Sequence, residues 1–248
     1  MPPPPDNLEP SRLALFLDVD GTLLNIEDHP AGVKADPSLV ALLTHLSKGF
    51  GGALSLISGR PIDDLDRIFG GARFAAAGGH GAELRLHPDD PVAISKCSLP
   101  AAILERIRAF AGTDPGLLLE EKHGGVSLHY RRAPEFEERC TEFVHGLLPE
   151  LRQDFRLIAG KMVFEFAPKD HHKGAAITEM MQHDPFANRR ATFVGDDVTD
   201  EDGFRAVNAM EGITIRVGGS RDSEAVYSLT DVAAVRYWLE SIAKRITT

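Results

Sequence analysis

Sulfur and positive charge are both scarce in this chain. Its two cysteines, Cys97 and Cys140, stand far apart and outside any paired metal-ligand spacing, which argues against a disulfide framework and a structural zinc site. Lys and Arg number 27 against 37 Asp and Glu, a formal charge of −10 over 248 residues. Long-range repulsion then opposes a nucleic acid or an anionic membrane as the main partner, while leaving room for a local pocket that takes a small anion. No apolar run approaches bilayer length. The opening "MPPPPDNLEP" has no basic region followed by an apolar one, and its four prolines read as a short extended tail. A reduced, cytoplasmic protein is the expectation. Three common fingerprints are also missing: GxxxxGK[ST] and GxSxG do not occur, and the glycines of "GGHGAE" do not make GxGxxG.

What the chain does have is 43% hydrophobic residues and an alternation of β-rich runs with helix-period segments. Strands are expected at 12–19, 52–58 and 73–78, with helices near 37–48 and 61–69 between them. After a change of rhythm the pattern resumes with a helix near 173–183, a strand at 190–197, a helix near 201–209, a strand at 212–218 and a closing helix from 231 to 245. Apolar runs ending in Asp, Ser or Gly fit parallel strands buried on both faces, whose carboxyl ends open onto a ligand crevice. Between the halves, a helix near 99–112 precedes "GLLLEEKHGGVSLHYR" (116–131), two strands around a His-Gly-Gly turn. A helix near 134–148 then precedes "FRLIAGKMVFEFAP" (155–168), two more around a glycine. The expected class is therefore α/β: a parallel-sheet core at 1–97 and 170–248 with an αββαββ domain inserted at 98–169. Met162, Phe164 and Phe166 should face the helices of that insertion, with Val163 and Glu165 turned away.

The strand ends collect an unusual set of groups. Asp18 and Asp20 follow the first strand, Ser58 the second, Lys173 opens a later helix, and Asp196, Asp197 and Asp200 lie in "VGDDVTDED". Five carboxylates in one crevice repel one another, and Lys173 with Arg60 is too little to balance them plus an anionic ligand. A divalent cation resolves the conflict, and an all-oxygen ligand set favours Mg²⁺ over zinc. A free aspartate, ionised at neutral pH, attacks phosphorus without an activating base once the phosphoryl charge is neutralised. The leaving oxygen needs a proton, and Asp20, two residues on and pointing the same way, can supply it. Phosphate-monoester hydrolysis calls for acceleration of up to about 10²¹-fold, so nucleophile, acid, lysine, hydroxyl and metal must act together.

"DVDGTLL", "SGR", the lysine of "KGAA" and "GDDVTDED" resemble, in order and spacing, the four motifs of the haloacid dehalogenase superfamily, with an α/β cap of the C2 type inserted after the second. Within it, "GGHGAELR" (78–85), "EEKHGGVSLHYR" (120–131) and "GKMVFEFAPKDHHKGAA" (160–176) are similar to trehalose-6-phosphate phosphatases, over nearly everything after residue 12. The resemblance implies a Mg²⁺-dependent hydrolysis of trehalose 6-phosphate through an aspartyl phosphate, in trehalose biosynthesis, with a small sugar phosphate as partner. It makes Asp18 the nucleophile and a metal ligand, and Asp20 the general acid/base with its backbone carbonyl on Mg²⁺. Ser58 and Lys173 would hold the phosphoryl group, and Asp196 and Asp200 would complete the metal site. The family's sugar-binding Glu-x-Lys and later Glu fall on Glu120, Lys122 and Glu165. Arg60 and His80 join them as substrate contacts, and His129 and Arg131 as lesser ones.

Three other functions share parts of this pattern. Phosphatases of sucrose phosphate or mannosyl phosphoglycerate would carry the same core motifs and differ in the inserted domain. A phospho-acceptor signalling module also uses an acidic cluster, a hydroxyl and a lysine, but the acceptor on the first strand, the acid two residues on and the lid-like insertion favour turnover. A silent sugar-phosphate sensor would not need every catalytic position filled. His171 and His172 are adjacent and do not face one another on a helix, so a surface or phosphate-mouth position is expected of them rather than a metal site.

Overall fold

The computed structural model describes residues 1–5, 8–26, 32–95, 97–160, 162–219 and 222–246; the side chain of Lys122 also lies outside what is described. The chain forms two compact units, Met1–Ala93 with His172–Thr248, and Ile94–His171. These divisions fall a few residues outside the expected 98 and 169.

The first unit opens with β1 (Leu13–Leu17), whose five residues are all buried, as expected for a parallel strand covered on both faces. Helix α1 (Pro37–Gly49) starts where Asp36 accepts the N–H groups of Ser38 and Leu39 and Pro37 supplies a preset φ. Then come β2 (Leu54–Ile57), α2 (Ile62–Ile68), β3 (Ala75–Gly78), β4 (Glu83–Arg85) and the short β5 (Ala93–Ile94).

The second unit follows as α3 (Ala101–Ala111), β6 (Leu118–Lys122), β7 (Gly125–His129), α4 (Glu137–Leu151), β8 (Phe155–Gly160) and β9 (Val163–Pro168). Its four strands form an antiparallel sheet in the order β6-β7-β9-β8. Cys140, Val144, Leu147 and Leu151 recur at helical spacing on α4, and pack with Ile103 and Ile107 of α3 against Val126, Leu128, Phe164 and Phe166. Phe110 and Phe143 stack with ring centroids 4.0 Å apart. Phe164 and Phe166 thus occupy the helix side as the alternation requires. Met162 packs against the same core from a left-handed turn position, φ 62°, rather than from within a strand.

The chain returns to the first unit with α5 (Lys173–Met180), β10 (Arg190–Gly195), α6 (Glu201–Ala209), β11 (Ile213–Val217), β12 (Tyr227–Leu229) and α7 (Val232–Ala243). The large sheet runs β12-β11-β10-β1-β2-β3-β4-β5. The pairings from β12 to β3 are parallel and β4 turns antiparallel to β3. Three strands lie beyond the sequence expectation: β4, β5 and β12 have two or three residues each, too few for a periodic signal. Among the described residues, no helix is long and apolar enough to cross a membrane. Cys97 and Cys140 are both free thiols.

Two charged residues of "GAELR" prove structural. Glu83 is buried and accepts the N–H of Ile62 at 2.7 Å, satisfying an otherwise open donor in the first turn of α2. Arg85 is fully buried; its fork closes on Asp66 near the end of α2, at 2.7 Å from Nη1, and its Nε donates to the carbonyl of Phe74 at 3.0 Å. Both tie α2 to the antiparallel edge and so fix the segment that carries Ser58 and Arg60. Arg85→Met keeps the volume but leaves the Phe74 carbonyl without this donor and Asp66 with the longer pair to Arg73, 3.6 Å, so urea unfolding should show a loss of about 1–3 kcal/mol. A loss within about 0.5 kcal/mol, the range of ordinary surface changes, would show that the pair is dispensable.

Candidate active site

Three neighbouring parallel strands deliver the reactive groups. β1 lies between β10 and β2, with Leu17 in register with both Val194 and Leu56. The residues that follow each strand therefore emerge side by side: Asp18 after β1, Ser58 after β2, Asp196 after β10. The N–H of Asp18 donates to the carbonyl of Val194 at 2.9 Å, which fixes the turn between strand and loop. Gly21 has φ 84°, and a Cβ there would stand 2.1 Å from Asp196 Oδ2. Only glycine permits both the left-handed turn and the approach to that carboxylate.

Lys173, the first residue of α5, is the hub. Its Nζ donates to Asp18 Oδ1 at 2.7 Å and to Asp200 Oδ1 at 2.6 Å, and all three side chains are at most 5% exposed. Helix α5 is started by His172, whose Nδ1 accepts the N–H of Ala175 at 3.1 Å. That capping role is one the sequence reading missed, although the residue stands immediately before the helix. Of the two positions expected for His171, surface or phosphate mouth, its 9% exposure speaks against the first. The helix is also held close to α6, because Gly174 brings no Cβ to a point 2.3 Å from the carbonyl oxygen of Asp202.

Both oxygens of Asp200 accept from protein donors: Oδ1 from Lys173, and Oδ2 from the backbone N–H groups of Asp196 and Asp197 at 2.9 and 2.8 Å. Asp197 is exposed and accepts the N–H of Val198. Asp196 receives a long hydrogen bond, 3.4 Å, from the Thr22 hydroxyl. Asp18 differs, because its Oδ2 is buried with no hydrogen-bond partner among the described residues. One ligand oxygen each from Asp18, Asp196 and Asp200 lie within 4.8 Å of one another. Three carboxylates thus share one ammonium, and an orphaned carboxylate oxygen points to a missing positive partner. Hard oxygen donors in this number fit a divalent cation.

The electrostatics follow from that imbalance. Burial, and then the neighbouring Asp200 and Asp196, push Asp18 up to about 8 against the pull of Lys173. Burial and Asp200 push Asp196 up to about 6. Burial alone would lower Lys173, but Asp18 and Asp200 hold it above its ordinary value, so it stays charged.

Asp20 stands outside the group of three. Its carboxylate takes a fork from Arg60, Nε to Oδ2 at 2.6 Å and Nη2 to Oδ1 at 2.7 Å, while Arg60 Nη1 reaches Asp64 at 3.0 Å. The expectation that Arg60 helps to balance the phosphoryl site therefore meets a side chain engaged by two other acids. Ser58 is buried, and its Oγ accepts the N–H of Arg60 at 3.1 Å. His80 has φ 56°, and its ring lies over Gly59, where a Cβ would come within 2.6 Å of Nε2.

The remaining candidates lie on the sheet of the second unit. Glu120, Ser127 and Glu165 are register partners across β6, β7 and β9 and share the face turned away from the helices. Ser127 donates to Glu165 at 3.1 Å, and His129 Nε2 lies 3.0 Å from Glu120. Glu121, on the other face, pairs with Arg108 of α3, which agrees with the alternation. Lys122 follows Glu120 by two positions on β6, its side chain outside the described part. Arg131 is exposed.

Two folded-state acids raised above their unfolded values give the cation-free protein a definite pH dependence. The folded chain then binds protons that the unfolded chain has released, so stability is greatest at low pH within this term and falls as pH rises through about 6 and 8. In excess chelator, the urea midpoint should drop between about pH 5.5 and 8.5, and less so for Asp18→Asn. An equal drop in both would remove Asp18 as the source.

A family profile described as trehalose-phosphatase matches residues 16–233. A probable trehalose-phosphate phosphatase of Sinorhizobium fredii is 41% identical over 93% of this chain and 87% of its own length. The trehalose-6-phosphate phosphatase of Escherichia coli is 35% identical over 94% and 87%. Among solved structures, a haloacid dehalogenase-like hydrolase from Bacteroides thetaiotaomicron superposes with a TM-score of 0.68 over 95% of this chain and 98% of that one, at 14% identity, which speaks for the fold alone. On a haloacid dehalogenase-like α/β fold, the chain belongs to the trehalose-phosphatase family of phosphoric monoester hydrolases.

Proposed function

We propose that the chain hydrolyses trehalose 6-phosphate to trehalose and inorganic phosphate, with Mg²⁺ as cofactor and phosphorylated Asp18 as intermediate. Family membership supports the reaction. One observation carries the chemistry: Lys173 fixes Asp18 through Oδ1 while Oδ2 of the same carboxylate is buried and engaged by nothing described. An oxygen so held is oriented, desolvated and available to an electrophile.

Asp18 Oδ2 attacks phosphorus, the bond from phosphorus to the sugar oxygen breaks, and that oxygen takes a proton from Asp20. A water molecule then attacks the phosphoryl phosphorus and gives its proton to Asp20, and the Asp18 carboxylate leaves. Lys173 and the Ser58 hydroxyl donate to the phosphoryl oxygens, where charge builds up. Asp18, Asp196 and Asp200, with the Asp20 carbonyl, would hold Mg²⁺, which would keep Asp18 ionised and draw charge from the phosphoryl group. Residues 94–171 supply sugar recognition: Glu120, Lys122 and Glu165 bind hydroxyls by charge-assisted hydrogen bonds, and His80 is a further substrate contact. Arg60 is not assigned to the sugar, because its fork is committed to Asp20 and Asp64.

Phosphate release across a panel of sugar phosphates tests the substrate, and trehalose 6-phosphate should lead it by kcat/KM; a better rate on sucrose phosphate would redirect the assignment. Excess chelator should abolish turnover and Mg²⁺ restore it, whereas full activity in chelator contradicts the cofactor. Glu165→Ala should lower kcat/KM for trehalose 6-phosphate by roughly tenfold or more, the scale of one charge-assisted hydrogen bond, and leave p-nitrophenyl phosphate nearly unaffected. Equal losses on both esters would take Glu165 out of sugar recognition.

A further inference from the structure

Nothing so far explains Asp64. It sits in the first turn of α2, where a carboxylate favours the helix dipole, and it accepts hydrogen bonds from Arg67 three residues on. Those roles account for the acid but not for Arg60. Arg60 precedes the helix, and its planar fork reaches back to Asp20, 40 positions earlier in the chain, by two parallel hydrogen bonds of 2.6 and 2.7 Å. Its third nitrogen, Nη1, is tied to Asp64 Oδ2 at 3.0 Å. The backbone beneath is pinned as well: the N–H of Arg60 donates to Ser58 Oγ at 3.1 Å, and its carbonyl accepts the N–H of Gly79 at 3.0 Å. The Arg60 side chain is 15% exposed and those of Asp20 and Asp64 are 32% and 28%, so solvent screening is only partly excluded and the weight of the arrangement lies in its geometry.

From this geometry we infer that Asp64 is a positioning residue for proton transfer, acting through Arg60 on the carboxylate of Asp20. A carboxylate held by one hydrogen bond still turns about its terminal torsion, whereas a two-bond fork sets its plane. The fork is only as fixed as the guanidinium that carries it, and the bond from Nη1 to Asp64 opposes rotation of that long side chain. Misplacing a proton donor by about 1 Å costs on the order of a hundredfold in rate, so a second carboxylate behind the arginine is a positional device. The inference rests on the reading of Asp20 as the acid that protonates the leaving sugar oxygen.

The test exploits a leaving group that needs no proton. With Mg²⁺ present, single-turnover cleavage of trehalose 6-phosphate is compared with the pre-steady-state burst of p-nitrophenol from p-nitrophenyl phosphate. Asp64→Ala should slow the sugar ester by roughly tenfold, a fraction of the usual contribution of acid–base catalysis, with KM unchanged and the p-nitrophenol burst within twofold of wild type. Asp64→Glu, which keeps a carboxylate at the same helical position, should recover most of the loss. Equal slowing of both esters marks a merely structural role and overturns the inference, as does no slowing of either. Asp20→Asn, run in the same two assays, should show the same asymmetry in larger measure. If it slows both esters alike, the reading of Asp20 as acid falls, and the role of Asp64 with it.

Discussion

The ammonium of Lys173, buried between Asp18 and Asp200, is the constraint from which the rest of the site follows. Two carboxylates and a lysine can leave water together only because each charge finds an opposite one within hydrogen-bond distance. Asp196 then sets three carboxylates against one ammonium and leaves the arrangement two positive charges short. That shortage is what makes it useful. A site balanced by protein groups alone would have no use for a cation, whereas this one has an acidic cluster that fits one and keeps a carboxylate oxygen without a hydrogen-bond partner among the described residues. The scaffold serves this end: β1 and β10 deliver the acids from adjacent strand ends, and α5, capped by His172 and drawn against α6 at Gly174, brings in the lysine.

The second unit has a different chemistry. Its charged residues stand on an antiparallel sheet with one face on helices and one face clear of them, and the row Glu120, Ser127 and Glu165 runs across three strands. Directional acceptors at fixed spacing suit a ligand rich in hydroxyls. Bond-breaking groups and proposed sugar-binding groups are thus carried by separate cores, each with its own hydrophobic cluster. Under the proposed assignment, such a division would let substrate choice vary through residues such as Glu165 without disturbing the balance around Lys173.

Much of this was legible in the sequence because the informative elements are long or strongly patterned. The apolar run ending at Asp18, the periodic helix at 201–209 and the paired strands around His123 and Gly124 appear as read, to within one or two residues. The acidic residues expected to converge do so in part: Asp18, Asp196 and Asp200 meet, while the Asp20 carboxylate turns to Arg60. Side-chain pairing between distant segments was not legible. No local pattern says that Arg85 is buried against Asp66, that Glu83 closes the start of α2, or that Arg60 reaches back to Asp20, because each depends on tertiary register. His172 as a helix cap was missed because histidine is an uncommon choice there. The edge strands β4, β5 and β12 were missed because two or three residues carry no period.

The account stands on a charge imbalance that a divalent cation corrects, and proton release measures that directly. Calorimetric titration of the chelator-treated protein with Mg²⁺ near neutral pH, repeated in buffers of different ionisation enthalpy, counts the protons expelled when the ion binds. With Asp18 held up to about 8 in the absence of the ion, the wild-type chain should release a substantial fraction of a proton for each Mg²⁺ bound, and Asp18→Asn should release distinctly less. Binding without proton release, or the same release from both proteins, would contradict the claim that an unbalanced Asp18 is the centre of this site.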